Sequence, residues 1–156
     1  MKRQVLSLLS ILIVLSTLLA ACGSSGGSSS SSPSGDVASG LKGDDQISQY
    51  ADAFATAGIS GGGPYTVFAA SNDALKAAGV TLNGDAVKAS VIEGSNLARA
   101  DLAKGTSTPS MLDGNSVTTW SGIDGTLYVN SFKVVGDPIT TGNGTIYIVD
   151  GVIQPK

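Results

Sequence analysis

From Gly23 to Gly35 the chain reads GSSGGSSSSSPSG, thirteen residues with almost nothing to bury. No other feature constrains the fold as much. Such a run lacks the apolar surface needed to offset the entropy of ordering a backbone, so it is expected to stay a flexible coil. It divides the 156 residues into a short apolar leader and one stretch long enough for a single domain of ordinary size. The expected boundaries are a leader over 1–21, a tether over 22–43 and a domain over 44–156.

The leader begins with Lys2 and Arg3 and continues in the apolar run Val5–Leu19. That run is short for a membrane span, which needs about 20 residues, and suits the core of a signal peptide. It ends in Leu19-Ala20-Ala21-Cys22, where small residues suit the subsites of a signal peptidase. This order resembles the lipobox of bacterial lipoproteins. The resemblance implies cleavage before Cys22, lipid on its sulfur and acyl chains such as palmitate. Lipidation strengthens membrane attachment by about 0.8 kcal/mol per buried methylene, so two or three chains hold a protein durably. An uncleaved signal anchor and a plain secretory signal are the other readings of the run. A coil of thirteen residues spans roughly 20 Å, enough to lift a domain clear of lipid headgroups. The expected location is a bacterial cell envelope, facing the periplasm or the exterior.

The chain has no histidine and a single cysteine. It therefore offers no Ser-His-Asp or Cys-His arrangement, no imidazole base or metal ligand and no intrachain disulfide. Removing residues 1–21 takes away Lys2 and Arg3 and no acid, which moves the formal charge from −3 to −5. That balance supplies no basic stripe for nucleic acid. The aspartates are scattered and form no calcium loop. Glu93 is the sole glutamate. Paired glycosidase carboxylates would need a cleft, and nothing in the pattern suggests one. A non-enzymatic protein without cofactor or metal is expected.

Past the tether, Asp44 or Asp45 caps a predicted helix whose Ile47, Tyr50, Ala51, Phe54 and Ala57 share one face before Gly58 ends it. Gly61-Gly62-Gly63-Pro64 then leads into a strand, Tyr65-Thr66-Val67-Phe68-Ala69, with Val67 and Phe68 on opposite faces. Ser71 or Asn72 caps a short helix to about Ala78, ended by Gly79, and Asp85 caps another carrying Val87 and Val91. Residues 95–104 fit no single pattern. Strands are predicted over 116–121, 126–130, 132–135 and 145–149. Turn pairs Asp113-Gly114, Asp124-Gly125, Asn143-Gly144 and Asp150-Gly151 separate or flank them. Helices first and strands later point to an α+β domain.

Two segments resemble the signatures of the fasciclin domain, an extracellular adhesion module. The first is Gly63-Pro64-Tyr65-Thr66-Val67-Phe68-Ala69-Ala70-Ser71-Asn72-Asp73-Ala74-Leu75, like the family's T-V-F-A-P strand followed by a T/S-N-D/E helix start. The second is GTLYVNSFKVVGDPITTGNGTIYIVDGVIQP over 125–155, like its closing strands. Ala100-Asp101-Leu102, Gly105-Thr106-Ser107 and Met111-Leu112-Asp113-Gly114 follow the connecting rhythm, so the likeness covers nearly all of 44–156. Ala70 replaces the usual proline. Ala89-Ser90 stands where a Tyr-His pair is usual, so the integrin site that some animal members carry there is not transferred. The stretch between the signatures is also short for the family.

The resemblance implies a binding or adhesion module, engaging a protein or glycan partner of the envelope or exterior. Some relatives bind pigment, which keeps a carrier of a carotenoid or lipid as the alternative. The surface candidates are Trp120, Tyr128 and Tyr147, because aromatic faces stack on sugars and polyenes. For Trp120 the more ordinary reading is cover for a sheet face. For Asn72 it is a helix-start contact that holds the fold. Asn143-Gly144-Thr145 matches a glycosylation acceptor but reads more simply as a hairpin turn.

Overall fold

The computed structural model describes residues 35–59, 62–104 and 109–156. The leader, Cys22, Gly61 and Gly105-Thr106-Ser107 lie outside the described residues. The helices are α1 (Val37–Lys42), α2 (Ser48–Thr56, entered through a 3-10 turn at Asp45–Ile47), α3 (Asn72–Ala78), α4 (Gly84–Lys88) and α5 (Arg99–Leu102). The strands are β1 (Tyr65–Ala70), β2 (Val91–Glu93), β3 (Thr119–Ser121), β4 (Leu127–Val129), β5 (Phe132–Thr141) and β6 (Gly144–Val149). They form one sheet in the order β2-β1-β6-β5-β4-β3. The β1–β6 pair is parallel and the other pairs are antiparallel. This is the α+β architecture the sequence predicts.

Every residue of β1 and of β6 is buried. A strand covered on both faces reads as a continuous apolar run, and both sequences do so except for single threonines. On one face Val67, Ala69, Ile146 and Ile148 pack with Leu41, Ile47, Tyr50 and Phe54 from the helices. On the other, Phe68, Tyr147 and Val149 join Leu102, Met111, Leu127 and Val129. The predicted opposition of Val67 and Phe68 thus separates two cores.

Local signals set most element ends. Asp44 accepts from the Gln46 N–H, and Ser71 accepts from the Ala74 N–H at the start of α3. Gly79 ends α3 in the left-handed conformation at φ 63°. Several boundaries differ from expectation. Residues 37–42, read as tether, form α1, because Val37 and Leu41 four positions apart are both buried. The cap of α4 is Asn83, with Asp85 in the first turn, and Val91 belongs to β2. The predicted strand at 116–121 keeps only Thr119–Ser121, Ser116 forming an isolated bridge with Ser110. Strand β5 runs on to Thr141 through an irregularity between Val135 and Ile139. The hairpin turn is Gly142-Asn143, and Gly144 already starts β6.

Gly144 marks the tightest backbone approach in the central sheet. A Cβ there would lie 2.5 Å from the Tyr65 carbonyl oxygen and 2.8 Å from Val37 Cγ2. Backbone cannot yield as a side chain does. Gly144→Ala is therefore expected to destabilise the fold by about 1–3 kcal/mol, the usual cost of overpacking, read as a lower urea midpoint.

Candidate binding surface

The β3–β4 hairpin carries two of the three candidate aromatics. Trp120 faces Tyr128 across the strand pair, and their rings stack at 4.3 Å between centroids and 11° between planes. The Trp120 indole Nε1–H donates to the Asn130 carbonyl oxygen at 3.1 Å. Asn130 has a positive φ of 56°, which Asn tolerates better than most residues. Its side-chain oxygen accepts from the Thr118 N–H at 2.9 Å, so one turn residue holds both strands. Trp120 is 39 % exposed despite these contacts. It covers Tyr128 with one face of the ring while part of the indole remains in solvent.

The turn joining β3 to β4 is built by Asp124. Its carboxylate accepts from the Thr126 N–H at 3.1 Å and from the Thr126 hydroxyl at 2.7 Å. These bonds, the hydroxyl's first, hold the Asp124 carboxyl below its usual pKa. Ile123 stands fully exposed at the tip. It was not among the sequence candidates. Its signal was an isoleucine inside a turn, between Gly122 and Asp124-Gly125, where no core-facing alternation requires one.

Tyr147 is not a surface residue. It lies fully buried in β6 with its ring 5.8 Å from that of Phe68. Its hydroxyl donates to the Leu97 carbonyl oxygen at 2.8 Å. Burial pushes the phenol up to about 12. The physical reason for the misplacement is that both faces of β6 are covered, so strand alternation has no solvent side here.

The first signature holds elements together. Asn72 donates to the Asp45 carbonyl oxygen at 2.7 Å and to Ser48 Oγ at 3.0 Å, and accepts from the Gln49 N–H at 3.1 Å. It fastens α3 to the start of α2. Ser90, at the position where the family usually has the Tyr-His pair, is buried and shares a 2.6 Å hydrogen bond with the Tyr50 hydroxyl. Ser90 also donates to the Val87 carbonyl oxygen at 2.8 Å. Asn143 Oδ1 accepts from the Val37 N–H, and the buried Thr145 donates to Asn96 at 2.6 Å. The Asn143-Gly144-Thr145 pattern is therefore engaged in the fold.

No group of three potential metal ligands gathers among the described residues. Two adjoining depressions of about 320 and 240 Å³ lie between α2, the 80–83 segment and the 152–155 tail. Gln49, Asp52 and Thr56 line the larger with Leu75, and none of Trp120, Tyr128 and Tyr147 lines either. The model of the family described as Fasciclin domain matches residues 45–155. No curated protein matches the chain.

Ser90→Ala is expected to leave the Tyr50 hydroxyl buried without its partner, costing about 1–3 kcal/mol in urea unfolding. Adding Tyr50→Phe to that variant is expected to cost less than the two single changes summed. The buried phenols also set an alkaline limit. Burial raises Tyr147, and more strongly Tyr50, above the ordinary value of 10.0. The unfolded chain therefore loses these protons first, and stability falls as pH climbs from 10 through 12. Urea midpoints at pH 8 and 11 are expected to show the decline, and Tyr147→Phe to flatten it.

Proposed function

Because the family match spans residues 45–155, the chain belongs to the fasciclin domain family, and from that membership we propose a non-enzymatic binding module displayed at a cell envelope. Fasciclin domains generally act in adhesion and other extracellular interactions and typically are not enzymes. That membership is the observation carrying the reading. The chain's own chemistry agrees with it: no histidine, one cysteine and aspartates used in turns and helix caps. Binding proceeds by complementarity of an exposed surface built from loops and sheet faces. Cys22 is lipidated after removal of residues 1–21 and holds the domain to a membrane. Many copies sharing one membrane raise avidity toward a protein or glycan partner without new contacts.

Two measurements separate the parts of this proposal. The mass of the amino-terminal peptide from cell-made protein is expected to match a cleaved, lipidated Cys22, and Cys22→Ala is expected to leave the membrane fraction. An intact leader or an unmodified thiol would end the anchoring reading. Replacing residues 36–156 by an unrelated soluble domain is expected to abolish adhesion or aggregation of the displaying cells. Unchanged adhesion would end the binding reading.

A further inference from the structure

The exposed large apolar side chains among the described residues are Trp120, Ile123 and Val135, and all three lie in the β3–β4–β5 region. Trp120 pairs with Tyr128, and Tyr128 with Lys133. Side chains alternate along a strand, so Val135 falls on the same face as Lys133, one step further along β5. Isolated apolar residues on a surface need no explanation, but Trp120, Tyr128 and Val135 share one sheet face, with Lys133 among them, and Ile123 stands exposed at the adjoining turn.

The place where the tether enters the domain identifies the occupant. The Gly142 N–H donates to the Gly35 carbonyl oxygen at 2.7 Å, and the Val37 N–H to Asn143 Oδ1 at 2.8 Å. The Gly/Ser run thus reaches the domain at the β5–β6 turn. Strands β4 and β6 both run antiparallel to β5. The turn at 122–126, before β4, and the turn at Gly142-Asn143, before β6, therefore both lie toward the carboxy-terminal side of β5. The first is beside its middle and the second beyond the irregularity between Val135 and Ile139. Resting on the proposed lipid anchor at Cys22, we propose that the β3–β4 hairpin is a bilayer contact, Ile123 entering the headgroup boundary with Trp120 and Tyr128 behind it.

The chemistry suits that boundary. Tryptophan and tyrosine favour the level where one end of the ring is apolar and the other wet. Asp124 keeps its charge among the turn's own donors, at headgroup depth. One isoleucine would not hold a free protein on lipid. A domain joined to the bilayer through a short linker meets it at high effective concentration, so a weak contact suffices to orient it.

The sole tryptophan reports on the contact directly. The chain from Cys22 onward is coupled through its only thiol to a maleimide lipid in phosphatidylcholine vesicles, with or without bromine on the acyl chains. Coupling imposes the tether whether or not cells lipidate Cys22. Trp120 emission is expected to shift to the blue and to be quenched about twofold by brominated lipid, as for an indole at the interface. Ile123→Asp, at a fully exposed position, is expected to keep the circular dichroism spectrum and lose the quenching. Emission unchanged by bromine would overturn the proposal. A shift caused instead by added oligosaccharide or by protein concentration without lipid, with no bromine quenching, would assign the surface to a glycan or a second copy and also overturn it. An unmodified Cys22 in cell-made protein would sink the anchor and leave this vesicle result standing by itself.

Discussion

The parallel pairing of β1 with β6 is the constraint on which the rest of the domain depends. All six residues of each strand are buried, so the pair needs cover on both faces. Helices α1 and α2 supply it on one side. The β3–β4–β5 region and the residues between α5 and β3 supply it on the other. A parallel pair also needs a long crossover between its strands, and the chain from 71 to 143 provides that connection while building the second core. Gly144 and Asn143 sit where the crossover closes. The glycine admits the Tyr65 carbonyl, and the asparagine ties in α1.

A consequence of this arrangement is a division between a filled interior and one under-covered corner. Tyr147 and Tyr50 show the interior: each places an aromatic ring in a core and satisfies its hydroxyl there. The β3–β4 hairpin shows the corner. It pairs with only the first residues of β5, and the outer ring of its stacked pair stays partly in solvent. Stacking and the indole hydrogen bond fix that ring before any partner arrives, so binding there loses little rotamer freedom.

Much of this could be read in advance because it rests on short-range rules. The face of α2, the Ser71 cap, the Gly79 stop and the opposition of Val67 to Phe68 depend on neighbours within a few residues. The larger errors share one cause, which is contact between distant segments. Val37 and Leu41 look like loop residues until α1 packs on the sheet, where they share a core with Ile146 and Gly40 lies against Thr141. Tyr147 looks like a half-exposed strand residue until its second face is covered. The α4 cap is a local exception: Asn83 accepts from the Ala86 N–H, and Asp85, the residue expected there, sits in the first turn.

The sequence by itself determined the chemistry this protein lacks and the single cysteine at which it could be anchored, because a missing side chain needs no fold to be excluded. It also determined the family, whose two signatures are contiguous runs. Only the tertiary structure decided which aromatics meet solvent and where the tether joins the domain. Exposure and attachment depend on what lies against a residue, and the hydrogen-bond partners of Trp120, Tyr147 and Gly35 are 10, 50 and 107 positions away in the chain.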